Sequence, residues 1–383
     1  MVSLGMRYLV SFFLVLGPCH SLLSQEAALP AAADYASVSL SGYVSSAYHF
    51  GSGSGTGRYP FALSPSHRNA FSMDVVGLSL RRPLDEWLFD SGFQFDLWVG
   101  PDASLLDSDN SANSVNIRRA FIDFRIPLFD PRVTGVARSL DLRVGTFDSP
   151  LGYESLDRDS SNPHYTRSWG FTIEPTLHTG LLAMYPGVDA LENGESDFLF
   201  SLGIANSIDP RIDGVPVNSD RKSFLSGATW LLPDVMGRLS GTAFSVGYTN
   251  GRTRSGDAPV QNLYFGVGLP LESEQWDLAL THDSRMEYGD GNDDSVWGAY
   301  LSYRPNTKST LSLRGELFQE GENLFSSESA AEQTDGYGLT FTYDYRLSKH
   351  ILSRAEWRWD HTEERVNDRC NSQSWHLNLV YEF

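Results

Sequence analysis

Residues 337–345 read Tyr-Gly-Leu-Thr-Phe-Thr-Tyr-Asp-Tyr, and after the break Arg346-Leu-Ser-Lys-His350, residues 351–360 read Ile-Leu-Ser-Arg-Ala-Glu-Trp-Arg-Trp-Asp. In the first stretch Tyr337, Leu339, Phe341, Tyr343 and Tyr345 take every second position. In the second, Ile351, Ala355, Trp357 and Trp359 oppose Arg354, Glu356, Arg358 and Asp360. Successive side chains of a β-strand point to opposite faces, so each stretch makes a strand with one apolar and one polar side. The break between them is short enough for a hairpin. A tilted strand of about ten residues crosses a bilayer, showing lipid only every second side chain.

The same rhythm runs outward from this hairpin in both directions. Upstream lie Leu311, Leu313 and Leu317 against Ser312, Arg314 and Glu316, then Trp297, Ala299, Leu301 and Tyr303, and Leu263, Phe265, Val267 and Leu269. Far upstream, Phe93, Phe95, Leu97 and Val99 oppose Gln94, Asp96 and Trp98. Downstream come Trp375, Leu377, Leu379, Tyr381 and Phe383. The count predicts about sixteen strands, near 37–49, 69–80, 91–100, 114–125, 137–147, 177–186, 196–205, 222–231, 240–249, 260–269, 275–283, 295–304, 309–318, 334–345, 351–360 and 374–383. The second, fourth, sixth and eighth runs are the weakest, which leaves fourteen or eighteen strands open. No helical period competes in residues 37–383.

Connections alternate between short, as at 305–309 and 346–350, and long, at 50–68, 101–113, 148–176, 206–221, 284–294, 319–333 and 361–373. This asymmetry is that of an outer-membrane barrel, with tight periplasmic turns and long external loops. An open edge in hydrocarbon would leave backbone groups unpaired at several kcal/mol each, so the sheet must close. The expected fold is therefore an all-β, antiparallel transmembrane barrel over residues 37–383. Aromatics gather near strand ends, at Tyr303, Tyr345, Trp359 and Trp375, where interfacial girdles belong. Leu379, Tyr381 and Phe383 line the lipid side of the last run, and an aromatic end to such a strand is similar to the signal read by the outer-membrane assembly machinery.

Residues 1–21 read as a secretory signal peptide: Arg7 is the positive region, residues 8–16 an apolar stretch too short to span a bilayer, and Cys19-His-Ser21 supplies small residues at a cleavage site. Ala31-Ala-Ala33 is a second candidate site, and residues 22–36 precede the barrel. Loss of Arg7 would leave 28 basic against 48 acidic residues, a charge of −20 in place of −19. Such acidity argues against nucleic acid, which needs a basic face. Of the two cysteines, Cys19 lies in the leader, so Cys370 alone would remain and no internal disulfide could form.

The segment Leu142-Arg-Val-Gly-Thr-Phe-Asp-Ser-Pro-Leu-Gly-Tyr-Glu-Ser-Leu156, with Ser161-Asn-Pro-His-Tyr-Thr-Arg-Ser168 and Glu174-Pro-Thr-Leu-His-Thr-Gly180, resembles the core of the OmpL-like β-barrel porin family, "VGKFDTPxGYE…NPHxSRS…P…HTG". Thr146 stands where Lys is usual, and Thr166 precedes the Arg-Ser pair. Ser41-Gly-Tyr-Val44 and Ala120-Phe-Ile-Asp-Phe124 extend the likeness along the chain. The resemblance implies an outer-membrane channel without implying a particular solute.

On that reading the long loop 148–176 is expected to fold into the pore. Asp148, Glu154, Asp157, Arg158, Asp159, His164 and Arg167 are its constriction candidates; the blander reading has Pro150, Gly152 and Pro163 shaping a rigid loop with its charges in water. Asp96, Arg119, Asp123, Asp141, Arg143, Asp277, Arg314, Glu316, Arg354, Glu356 and Arg358 are the pore-wall candidates. Their mixed signs at alternating sites suit cross-strand salt bridges better than an ion ladder. The expected function is passive diffusion of small hydrophilic solutes or ions, with a weak cation preference and no cofactor or metal, in a chain that faces lipid and could form a homo-oligomer. Asp290-Gly-Asn-Asp-Asp294 fails as an EF-hand, because Ser295 and Leu301 stand where Gly and Glu are required. The alternatives are a substrate-selective channel of the same fold, a structural barrel, or a barrel hydrolase. His178, His282 and Ser284 are the only tempting catalytic set for the last.

Overall fold

In a computed structural model the rhythm closes into a barrel. The structure describes residues 37–52, 69–84, 89–106, 114–129, 138–191, 194–208, 222–252, 259–271, 275–288, 293–319, 335–366 and 369–383. The leader 1–21, residues 22–36 and residues 290–292 of the acidic stretch 290–294 lie outside them. The strands are β1 (Ser39–Ser52), β2 (Ala70–Arg82), β3 (Asp90–Val99), β4 (Val115–Phe129), β5 (Arg138–Asp148), β6 (Leu177–Leu191), β7 (Gly194–Ala205), β8 (Ser223–Leu231), β9 (Ala243–Arg252), β10 (Pro259–Pro270), β11 (Trp276–Glu287), β12 (Asp293–Asn306), β13 (Ser309–Gln319), β14 (Asp335–Arg346), β15 (Ile351–Val366) and β16 (Arg369–Glu382). Each pairs antiparallel with its sequence neighbours, and β1 pairs with β16, so the sheet of sixteen has no edge. The seam is sealed by Gly42 and Phe383, whose backbone N–H groups each donate to the other's carbonyl at 3.0 Å.

The apolar positions of the alternation face outward. Trp297, Leu313, Leu317, Phe341, Trp375 and Leu377 are all exposed on the bare barrel, where lipid would cover them. Aromatic contacts collect at both ends of the wall. Trp276 stacks on Tyr303 at one end with ring centroids 4.3 Å apart, and Tyr337 meets Trp359 at the other, 5.3 Å apart.

Two expectations are corrected. The predicted loops 284–294 and 361–373 are largely strand, since β11 runs to Glu287, β12 starts at Asp293, β15 reaches Val366 and β16 starts at Arg369. Residues such as His361, Thr362, Asn371 and Ser372 are polar on both faces, so the ladder outlasts the hydrophobic period that revealed it. Helix also occurs inside the barrel region: α1 (Trp169–Ile173) and two 3₁₀ turns, Pro101–Leu105 and Asp234–Leu239. These pieces are too short to leave a 3.6-residue period in the sequence.

The inner face is not purely polar either. Phe121, Phe147, Leu182, Met184, Leu199 and Leu225 form a buried apolar cluster along β4–β8. Val296 and Phe318 of β12 and β13 pack against Trp169 and Ile173 of α1.

Candidate functional site

Residues 149–176, between β5 and β6, bond to inward-facing side chains around most of the barrel. The segment leaves β5 with Ser149 donating its N–H to the carbonyl of Thr176 at 3.0 Å, which closes its base. Pro150 and Leu151 then lie against Gly227 of β8 and Gly247 of β9, where the missing side chains leave room. Tyr153 meets Tyr300 of β12 with ring centroids 4.3 Å apart. On the return, Asn262 of β10 donates Nδ2 to the carbonyl of Ile173 at 2.7 Å.

Each buried charge of the segment has a partner. Glu154 accepts from Arg314 of β13 at 2.7 Å and from the N–H of Ser168 at 2.9 Å. Arg158 donates to Asp102 at 2.9 Å and to the carbonyl of Tyr165 at 2.5 Å, with its guanidinium over the Tyr165 ring. Asp102 comes from the 3₁₀ turn after β3, so a second loop reaches into the barrel, and burial pushes its carboxyl up to about 7. Glu356 of β15 collects the N–H groups of Tyr165 and Thr166, at 2.6 and 2.9 Å, and the hydroxyls of Thr166 and Thr342. His164 shares a hydrogen with Thr342 at 2.7 Å, and burial together with nearby Arg314 holds its imidazole well below the usual histidine range, hence neutral.

Arg167 is the hub. It has no carboxylate partner; it donates instead to five carbonyls of its own segment, those of Ser155, Leu156, Asp157, His164 and Tyr165, at 2.6–3.2 Å. Burial, with Arg158 beside it, brings its guanidinium down to about 10. Outside this knot, Arg358 donates to the carbonyl of Arg167 at 2.6 Å and Arg354 to that of Asn162 at 2.7 Å, tying the segment to β15. Ser168 caps α1 by accepting from Phe171 N at 3.0 Å, and Trp169 donates its N–H to Glu316 and its indole Nε1 to Asp360.

All eleven pore-wall candidates lie on the inner face. Arg125 pairs with Asp141, Arg143 with Asp123, and Arg354 with Asp344, each pair directly opposite across its strands. Arg119 bonds to Asp96, and Asp277 to Arg304. The mixed-sign pattern thus makes cross-strand salt bridges. Of the seven constriction candidates, Glu154, Asp157, Arg158, His164 and Arg167 are buried, Asp148 is held by Arg118 and Arg119, and Asp159 is half-exposed. The expectation of a loop with charges in water does not fit these residues. His178 faces inward beside Ser149, while His282 stacks on outward Trp297, so the tempting set is split across the wall.

Sequence alternation missed Arg118, Asp74, Asp102 and the pair His49 and His376, whose Nδ1 atoms are 2.9 Å apart across the seam. Two were hidden by β-bulges. In β4 the register passes from Asp96 opposite Arg119 to Leu97 opposite Ile117, leaving Arg118 as the extra residue, so Arg118 and Arg119 both point inward. In β2, Asp74 is the extra residue in the same way, beside inward Val75.

Below the tip of the segment lies a cavity of about 370 Å³, between residues 157–160 and the wall of β1–β3. Asp96, Asp157, Asp159, Glu382 and Arg119 supply its charges, and Tyr43 and Trp98 its rings.

The family model described as "Putative beta-barrel porin-2, OmpL-like" matches residues 37–378. No curated protein matches the sequence. Among solved structures, OmpF of Salmonella typhi in complex with daunomycin is similar over 90% of this chain and 97% of that one, with 12% identity and a TM-score of 0.60. The anion-selective porin of Comamonas acidovorans is similar over 91% and 99%, with 11% identity and a TM-score of 0.57. The trimer form of Vibrio cholerae OmpT is similar over 91% and 100%, with 10% identity and a TM-score of 0.57. At such identities the likeness shows the barrel fold alone. The family match spans the barrel and takes in both the motif-bearing segment and the wall that holds it. The chain belongs to the OmpL-like β-barrel porin-2 family and is a porin of the bacterial outer membrane.

Proposed function

We propose that this porin passes small hydrophilic solutes by passive diffusion, that residues 149–176 form its constriction, and that it prefers cations weakly. The observation that carries the preference is the state of the lumen charges. Arg118, Arg119, Arg125, Arg143, Arg158, Arg314, Arg354 and Arg358 each stand against a carboxylate, and the three lysines, Lys222, Lys308 and Lys349, are exposed. Asp159 faces the cavity with Asp157 and Glu382 as its charged neighbours, and burial, reinforced by Asp157, holds its carboxyl above the usual range. Paired guanidiniums attract anions little, whereas an acid at a narrow mouth raises the local cation concentration. Selectivity would then come from size and charge, with no catalytic step, so the reading is of a channel and not a hydrolase.

Reversal potentials in a salt gradient test the preference. Cation selectivity is expected in dilute salt and should fade as salt rises, since exposed charges are screened within about 10 Å at 0.1 M. Asp159→Asn is expected to reduce it more than Asp293→Asn does. Anion preference would overturn the charge argument and leave the porin standing.

The trimer form of OmpT supports a homo-oligomer here, which the mobility of unheated protein on gels would measure. Leu379, Tyr381 and Phe383 lie on the outer edge of the seam strand, and this supports their reading as an assembly signal. Phe383→Asp is expected to lower the amount of folded, heat-modifiable barrel in membranes. Unchanged amounts would remove that role.

A further inference from the structure

We propose that Tyr43 and Glu382, a pair that meets across the closing seam, position the tip of the segment and thereby set the cation preference through Asp159. The proposal rests on reading Asp159 as the acid that attracts cations.

Tyr43 of β1 and Glu382 of β16 stand directly opposite each other where the barrel closes. Between them they accept two backbone donors of the tip. The N–H of Arg158 donates to the Tyr43 hydroxyl at 3.3 Å, and the N–H of Ser160 donates to Glu382 Oε1 at 2.8 Å. Asp159 is the residue between those donors. A backbone N–H taken out of water needs an acceptor, so the pair fixes the chain on both sides of Asp159.

Each acceptor is itself held in place. Gly77 of β2 lies opposite Tyr43, and a side chain there would meet the phenol ring at 2.7 Å. The bare glycine thus gives the ring its seat on the wall. Glu382 accepts from Arg346 at 3.1 Å through its other carboxylate oxygen. Its N–H donates to the carbonyl of His350 at 2.8 Å, and His350 Nδ1 donates back to the Glu382 carbonyl at 2.8 Å.

Asp159 has no such support of its own. Its carboxylate accepts from the N–H of Ser161 at 2.9 Å and from the Ser161 hydroxyl, both in its own turn. Among the described residues no wall side chain hydrogen-bonds to it. Asp157 differs, since Arg119 donates to it at 3.3 Å and Arg118 at 3.5 Å. The place of Asp159 is therefore set by the backbone that carries it. Tyr43, Glu382 and Asp159 all line the cavity of about 370 Å³, where the potential met by a passing ion depends on where this charge sits.

Reversal potentials of the full-length protein in a dilute salt gradient test the pair, with heat-modifiable mobility showing that each variant is folded. Tyr43→Phe keeps the ring and removes the acceptor for Arg158, and Glu382→Leu removes the acceptor for Ser160. Both are expected to lower the cation preference toward that of Asp159→Asn, and to lower it no further in a chain that already carries Asp159→Asn. Glu382→Gln keeps an oxygen for Ser160 without the charge, and should hold the preference near native. Equal losses in Glu382→Gln and Glu382→Leu would assign the effect to the charge of Glu382 and overturn its positioning role. An unchanged preference in Tyr43→Phe, or additive losses with Asp159→Asn, would overturn the proposal as well.

Thiol labelling follows the tip itself. In a Cys370→Ser chain, Asp159→Cys is modified with a trimethylammonium thiosulfonate and the rate is read from the mass of the labelled peptide. Tyr43→Phe and Glu382→Leu are expected to change that rate severalfold, and Glu382→Gln to leave it as it was. Equal rates in all of these chains overturn the proposal. Native selectivity in Asp159→Asn would instead remove the reading of Asp159 as the attracting acid, and the labelling rates would then judge the pair alone.

Discussion

Arg167→Met is expected to release the inserted segment from its own fold and to raise single-channel conductance severalfold while the barrel stays assembled. The five carbonyls that Arg167 serves come from two stretches, residues 155–157 and 164–165, which no other side chain bridges as fully. Hydrogen bonds from a charged donor contribute about 1.5–3 kcal/mol each, and they do not add when they share one group. Each buried carbonyl left without its donor costs about 1–3 kcal/mol. Lysine should not rescue, because one ammonium on a flexible stem cannot reach five acceptors laid out for a planar fork. Urea unfolding of the folded band and conductance of the same preparation measure the two effects. Native conductance in Arg167→Met would show that the segment does not narrow the channel.

Phe341→Arg is expected to destabilise the whole barrel by about 2–4 kcal/mol, the cost of a cation on the lipid side near the bilayer midplane. Phe341 faces outward near the middle of β14, opposite Leu313 and Trp357 in the neighbouring strands. Phe341→Leu keeps the apolar surface and should cost far less. Equal losses for the two substitutions would contradict the outward assignment. An arginine on the inner side is no simple control here, because inward Thr340 already accepts from Arg314 at 3.0 Å in a packed site.

The strands were legible because lipid imposes a strict rule on one face. Every run from 37–49 to 374–383 corresponds to a strand, and the outward side chains are those the alternation assigned. The rule fails in three ways, each physical. Above the hydrocarbon neither face must be apolar, so the outer turns of β15 and β16 looked like loop. At a bulge the period slips by one, so Arg118 and Asp74 fell on the wrong side of the count although their neighbours were placed correctly. Inside the lumen a packed segment needs apolar seats, so Phe147, Leu182 and Phe318 break the polar pattern.

The candidate site was legible as a segment but not as a network. Its length, its position after the fifth strand and its mixed charges marked 148–176, and the wall residues were found by parity alone. What the sequence could not show is pairing. Glu154 and Arg314 are 160 residues apart, and Glu356 is 190 from Thr166. Nothing local distinguishes Arg167, bound to carbonyls, from Arg158, bound to a carboxylate supplied by another loop. These distinctions decide the electrostatics, because they determine which charges are spent within the protein and which remain for a passing solute.

The central claim is that the barrel encloses a water-filled passage narrowed from within by residues 149–176. Single-channel recording of the purified, heat-modifiable protein in planar bilayers tests it most directly. The account predicts discrete, ohmic conductance steps of small size in the native protein, and larger ones in Arg167→Met. Folded protein that inserts without conducting would contradict it.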